Sequence, residues 1–125
     1  MTCKLKEQFT KRLSFIKMMQ EVRPGSYPSL PVDISTKESQ QFCRDLALRG
    51  VEEMFEALAH LKNWKPHRST DIKDELNRDE FLEEIVDALN YFFAMLVMLG
   101  VDADEFMQAF EAKNKKIHDR LLGKY

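Results

Sequence analysis

The chain has 125 residues and a mass of 14.7 kDa, room for a single domain over 1–125. Its 19 Lys+Arg nearly balance 21 Asp+Glu, leaving a net charge of −2, which argues against a general nucleic-acid binder with its basic excess. Two cysteines, Cys3 and Cys43, make no disulfide framework and suit a reducing compartment, and there is neither zinc-type Cys/His spacing nor a Gly-rich phosphate loop.

The apolar positions follow the helical period, and no stretch alternates well enough for a strand. The first predicted helix covers Lys4 to Val22, with Phe9, Leu13, Ile16 and Met19 on one side, and stops at Arg23-Pro24-Gly25. Its charges leave no uncharged core for a signal peptide. Pro24, Gly25, Pro28 and Pro31 make the next stretch a loop. A second helix starts after Ser35 or Thr36, either a suitable cap, and runs to about Asn63 with the stripe Ala47, Val51, Met54, Leu58 and Leu61. Pro66 and the polar stretch His67 to Asn77 form a second connection. A third helix spans about Asp79 to Leu99, ending at Gly100. Its stripe holds Phe81, Ile85, Ala88, Phe92, Leu96 and Leu99, widened by Leu89 and Phe93. Asp102 caps a fourth helix reaching about Leu122.

This pattern predicts an all-α bundle of four to five helices. The third helix is apolar almost all round beyond Asp87, so it needs partners on more than one side, which predicts a homodimer or homotetramer. The longest uncharged stretch, Ala88 to Val101, is shorter than the roughly 20 apolar residues that span a bilayer. No membrane association and a cytoplasmic address are therefore expected.

Acidic residues mark a candidate site. Glu53-x-x-Glu56 lies on the second helix and Glu84-x-x-Asp87 on the third. Residues three apart share a helix face, so each pair sets two carboxylates side by side. If the helices pack together, four carboxylates converge, and such a cluster requires a cation. Hard oxygen ligands suit Mg²⁺ or Mn²⁺. The competing reading is a solvated acidic face. It fits the second helix taken alone, where Glu53 and Glu56 point away from the Val51–Met54–Leu58 stripe. The third helix speaks against it, because the line through Glu80, Glu84 and Asp87 runs on into Tyr91, Ala94, Met95 and Met98.

On the fourth helix Lys113 and Arg120 are two turns apart on the side that carries Phe106, Phe110, Ile117 and Leu121. Two readings stand: cations snorkelling at the edge of an apolar stripe, or cations reaching inward to phosphate. With four acids to hold metal, the second gives metal-assisted attack of water on a phosphorus centre.

The arrangement resembles the all-α nucleoside triphosphate pyrophosphohydrolase superfamily, which includes MazG-type enzymes, dCTP pyrophosphatases and dimeric dUTPases, and within it the small phage-like dUTPases most. Its mark is E-x-x-E, a spacer, then E-x-x-D. Leu61-Lys62-Asn63-Trp64-Lys65 is similar to the Trp-Lys that follows the first motif in dimeric dUTPases. The segment Lys113-Asn114, Arg120 and Gly123-Lys124-Tyr125 looks like the late K-N-x-x-N-x-x-R-Q-x-x-G-Y signature, with Ile117 and Leu121 replacing its second Asn and its Gln. The resemblance covers roughly Gln40 to Tyr125. It implies cleavage of dUTP between the α and β phosphates, giving dUMP and pyrophosphate. A MazG-like or dCTP-type specificity and a non-enzymatic helical dimerisation module are the alternatives. It further implies Mg²⁺ held by Glu53, Glu56, Glu84 and Asp87, with Glu53 orienting or deprotonating water. Lys65, Asn90, Lys113, Asn114, Arg120 and Tyr125 would bind substrate. For Asn90 a satisfied polar residue within a packed helix is an equal reading. Trp64 as a helix-end anchor and His60 as a surface histidine are the plainer alternatives to roles in the site.

Overall fold

A computed structural model describes residues 3–67 and 74–124. Among them are four helices and no strand: α1 (Lys4–Val22), α2 (Lys37–Leu58), α3 (Asp74–Met98) and α4 (Ala103–Leu121). The all-α expectation therefore stands. No single described helix is long and apolar enough to cross a membrane. The chain forms two compact units, one from Met1–Val32 with Leu96–Tyr125, the other from Asp33–Met95.

The first unit is built around α1 and α4. The Phe9 ring, 4% exposed, lies 6.0 Å from Phe106, and Phe106 meets Phe110 edge-on at 6.1 Å. A ring buried as fully as Phe9 contributes on the order of 2 kcal/mol through area removed from water. The turn into α4 is set locally. Gly100, at φ +79°, ends α3 with Gly100 N–H donating to Val97 O and Val101 N–H to Leu96 O. This is the paired-bond helix stop for which a residue without Cβ is suited. Asp102 then caps α4, its Oδ1 accepting from the Glu105 N–H at 2.8 Å. After α1, Gln20 Nε2 donates to Pro28 O at 2.8 Å, tying down the proline-rich loop.

The second unit pairs α2 with the greater part of α3. Thr36 caps α2 by accepting from the Ser39 N–H. The helix is shorter than its sequence suggests. It ends at Leu58, because His60 and Leu61 bond back three residues, to Ala57 O and Leu58 O, and the last turn tightens. α3 begins earlier than expected, at Asp74, in a polar segment where hydrophobic periodicity carries no signal. The connection between the helices lies partly outside the described residues.

The buried face of α2 is not the expected one. Cys43, Leu46, Gly50 and Ala57 are buried, whereas Val51, Leu58 and Leu61 are 42%, 47% and 42% exposed. The core side is turned away from the larger side chains because small residues let α3 approach. A Cβ at Gly50 would lie 2.8 Å from Cε1 of Phe92. Among the described side chains of α3, Ala88, Ala94, Val97 and Met98 are buried, while Leu89 is 44% exposed. Leu48, Val51, Phe55 and Leu58 on α2, and Leu82, Val86 and Leu89 on α3, therefore form apolar lines left at the surface.

Candidate metal centre

The turned face of α2 decides where its acids go. Glu53 lies three residues after buried Gly50 and four before buried Ala57, so it sits at the edge of the α2–α3 contact. The reading of a solvated acidic face took the Val51–Met54–Leu58 stripe for the inner side of α2; the inner side is instead the one with Gly50 and Ala57, beside Glu53. On α3, Glu84 is one turn before buried Ala88 and is itself half-buried. Glu53, Glu84 and Asp87 each offer one carboxylate oxygen, and these oxygens lie within 4.8 Å of one another. Glu56, more exposed, stands within hydrogen-bonding reach of both Glu53 and Glu84. The neighbouring Glu52 and Glu83 are exposed.

Electrostatics follow from this crowding. The hydrogen bond to Glu56 is the main cause holding the Glu53 carboxyl above its ordinary range; desolvation and the charges of Glu56, Asp87 and Glu84 add to it. Glu84 is pushed up chiefly by desolvation, then by Glu56 and Asp87, and is partly relieved by His60. Two carboxyls share a hydrogen bond only when one carries a proton. Glu84 Oε2 is shut from solvent with no hydrogen-bond partner. Mutual repulsion together with an orphan acceptor is a set that a hard divalent cation would satisfy, and the all-oxygen donors fit Mg²⁺ or Mn²⁺.

One further pair extends the cluster. His60 Nδ1 lies 3.5 Å from Glu80 Oε2, with the histidine side chain 22% exposed. His60 is thus half-buried beside the acids rather than a freely exposed side chain. Its signal in the sequence is its position four residues after Glu56.

The remaining expected site residues are placed as follows. Lys65 is exposed, its ammonium 5.2 Å from the centre of the Trp64 ring. Asn90 is half-buried, three residues beyond Asp87 on α3. Lys113, Asn114 and Arg120 lie on α4, in the other unit, and all three are exposed. The inward direction expected for Lys113 and Arg120 is not what the structure shows. Their stripe is itself solvent-facing, with Phe110, Ile117 and Leu121 at 50%, 52% and 84% exposure. Tyr125 lies outside the described residues. A cavity of about 240 Å³ in the first unit, walled by Phe9, Leu13, Val97 and Val101 with Lys6 at its edge, contains none of the expected site residues.

Comparison with family models, with curated proteins and with solved structures finds no match to this chain.

Proposed function

We propose that this chain is a divalent-metal-dependent nucleoside triphosphate pyrophosphohydrolase of the MazG/dimeric-dUTPase type, converting dUTP and water to dUMP and pyrophosphate. The observation that carries this reading is the convergence of carboxylate oxygens of Glu53, Glu84 and Asp87, from two helices, to within 4.8 Å of one another; Glu84 also has a buried oxygen, Oε2, without a hydrogen-bond partner. Glu53, Glu84 and Asp87 would hold Mg²⁺ or Mn²⁺, with Glu56, the fourth acid expected there, supporting them from alongside. Such an ion supplies charge neutralisation at phosphate and makes nearby water more acidic. Glu53 would orient the water and accept its proton. The water oxygen bonds to phosphorus, the bond to the α–β bridging oxygen breaks, and pyrophosphate leaves with the electron pair. Lys65 and Asn90, in the same unit as the acids, would bind substrate, and a homodimer or homotetramer would cover the exposed apolar lines. A dCTP-type or broader MazG-like specificity uses the same site.

The exposed lines on α2 and α3 also favour a second reading, a helical dimerisation module without chemistry. Purified protein incubated with Mg²⁺ and dUTP separates the two. The enzyme yields dUMP and pyrophosphate and loses turnover on Glu53→Gln or Asp87→Asn with helicity intact. A dimerisation module turns over no triphosphate and shows no metal-dependent thermal shift.

A further inference from the structure

The acidic centre has two ends that differ in charge. Arg49, Glu53 and Glu56 on α2, then His60 in the turn just past its end, follow at steps of four, three and four residues, and on α3 Glu80, Glu84, Asp87 and Tyr91 repeat the same steps. That spacing keeps each set on one line of its helix. His60 beside Glu80 and Glu53 beside Asp87 fix an antiparallel register. The next equal step places Arg49 opposite Tyr91. The helices still touch at this level, since Gly50 abuts Phe92.

At the far end, His60 is paired with Glu80, whose half-exposed carboxylate repels an anion. At the near end, Arg49 is exposed and forms no ion pair or hydrogen bond among the described residues. It precedes Glu53 by four residues, the weaker orientation for a helical ion pair. The guanidinium is permanently charged and grips phosphate through two N–H groups at once. Arg49 is the permanently charged residue on this line.

We propose that Arg49 is a phosphate-binding residue of the α2–α3 site, and that the phosphates of a bound triphosphate lie towards the Arg49–Tyr91 end rather than the His60–Glu80 end. The inference rests on the proposed reading of the acids as a cation site for a triphosphate.

The test measures binding by calorimetry, with Mn²⁺ alone and with inorganic tripolyphosphate plus Mg²⁺, a probe that carries no base. Arg49→Ala weakens tripolyphosphate binding by roughly tenfold or more, the range for loss of a charge-assisted hydrogen bond. Arg49→Lys recovers part of it, Mn²⁺ affinity stays at the wild-type value, and His60→Ala loses less than Arg49→Ala. Unchanged tripolyphosphate binding in Arg49→Ala, or a larger loss in His60→Ala, overturns the inference while leaving the metal-site reading intact. A wild-type chain that binds neither Mn²⁺ nor tripolyphosphate overturns both.

Discussion

Gly50 on α2 packs directly against the Phe92 ring on α3, so closely that an added Cβ would stand 2.8 Å from Cε1 and 2.9 Å from Cζ. This contact sits one turn from Glu53, and it brings the two helices near enough for carboxylates on both to meet. Glycine within a helix carries a propensity cost of about 1 kcal/mol relative to alanine. Here that cost is offset by close approach.

Gly50→Ala is expected to move Phe92 or separate the helices. Overpacking of this kind costs roughly 1–3 kcal/mol, which exceeds the propensity gain. Urea unfolding should show a lower midpoint with unchanged slope, and Mn²⁺ affinity should fall in parallel. Gly50→Ala combined with Phe92→Leu should recover both. A stabilised single variant with full metal affinity would refute the contact's role.

The acids should rank unequally. Glu53→Gln and Asp87→Asn remove members of the converging set, whereas Glu56→Gln removes a neighbour that bonds to two of them. Calorimetry with Mn²⁺ should show about a 10- to 100-fold loss for Glu56→Gln, the range for outer-shell partners. A larger loss is expected for the other two. Equal losses in all three would place Glu56 among the ligands on the same footing.

The raised carboxyls of Glu53 and Glu84 set the sign of a pH effect. A group whose pKa is higher in the folded state holds its proton more tightly there, so stability declines as pH rises from the ordinary glutamate value of 4.5 through the raised one. In EDTA, thermal unfolding followed from pH 4 to 8 should therefore show Glu84→Gln gaining on wild type as pH increases, with the gap closing near pH 4. Mg²⁺ should remove most of the wild-type deficit and release protons on binding. A variant that is less stable than wild type at neutral pH would show that the cluster is not under charge strain.

The apolar lines on α2 and α3 should set the association state. Phe55 and Val86 are 66% and 54% exposed, so charging them costs the isolated chain little. Sedimentation should give a species heavier than the 14.7 kDa chain for wild type. Phe55→Glu with Val86→Lys should give a folded monomer, and a wild-type monomer at micromolar concentration would contradict the homo-oligomer.

Much of the local structure was legible without coordinates. The Pro-Gly stop after Val22, the Thr36 and Asp102 caps and the Gly100 terminator are local features, each acting through a few neighbouring residues, and they mark the helix ends they indicate, whereas periodicity overran the end of α2 and missed the polar start of α3. The acid motifs are local in the same way, because three-residue spacing alone puts two carboxylates on one helix face. What the sequence could not decide was which face of α2 is the inner one. Residue size pointed to Val51, Met54 and Leu58, yet the buried residues include Gly50 and Ala57, because close helix approach favours small side chains over large ones. That choice turns Glu53 from an outward acid into one beside Glu84 and Asp87, and sets His60 against Glu80. Tertiary contact decided it, since a helix by itself has no inside until another surface is pressed against it.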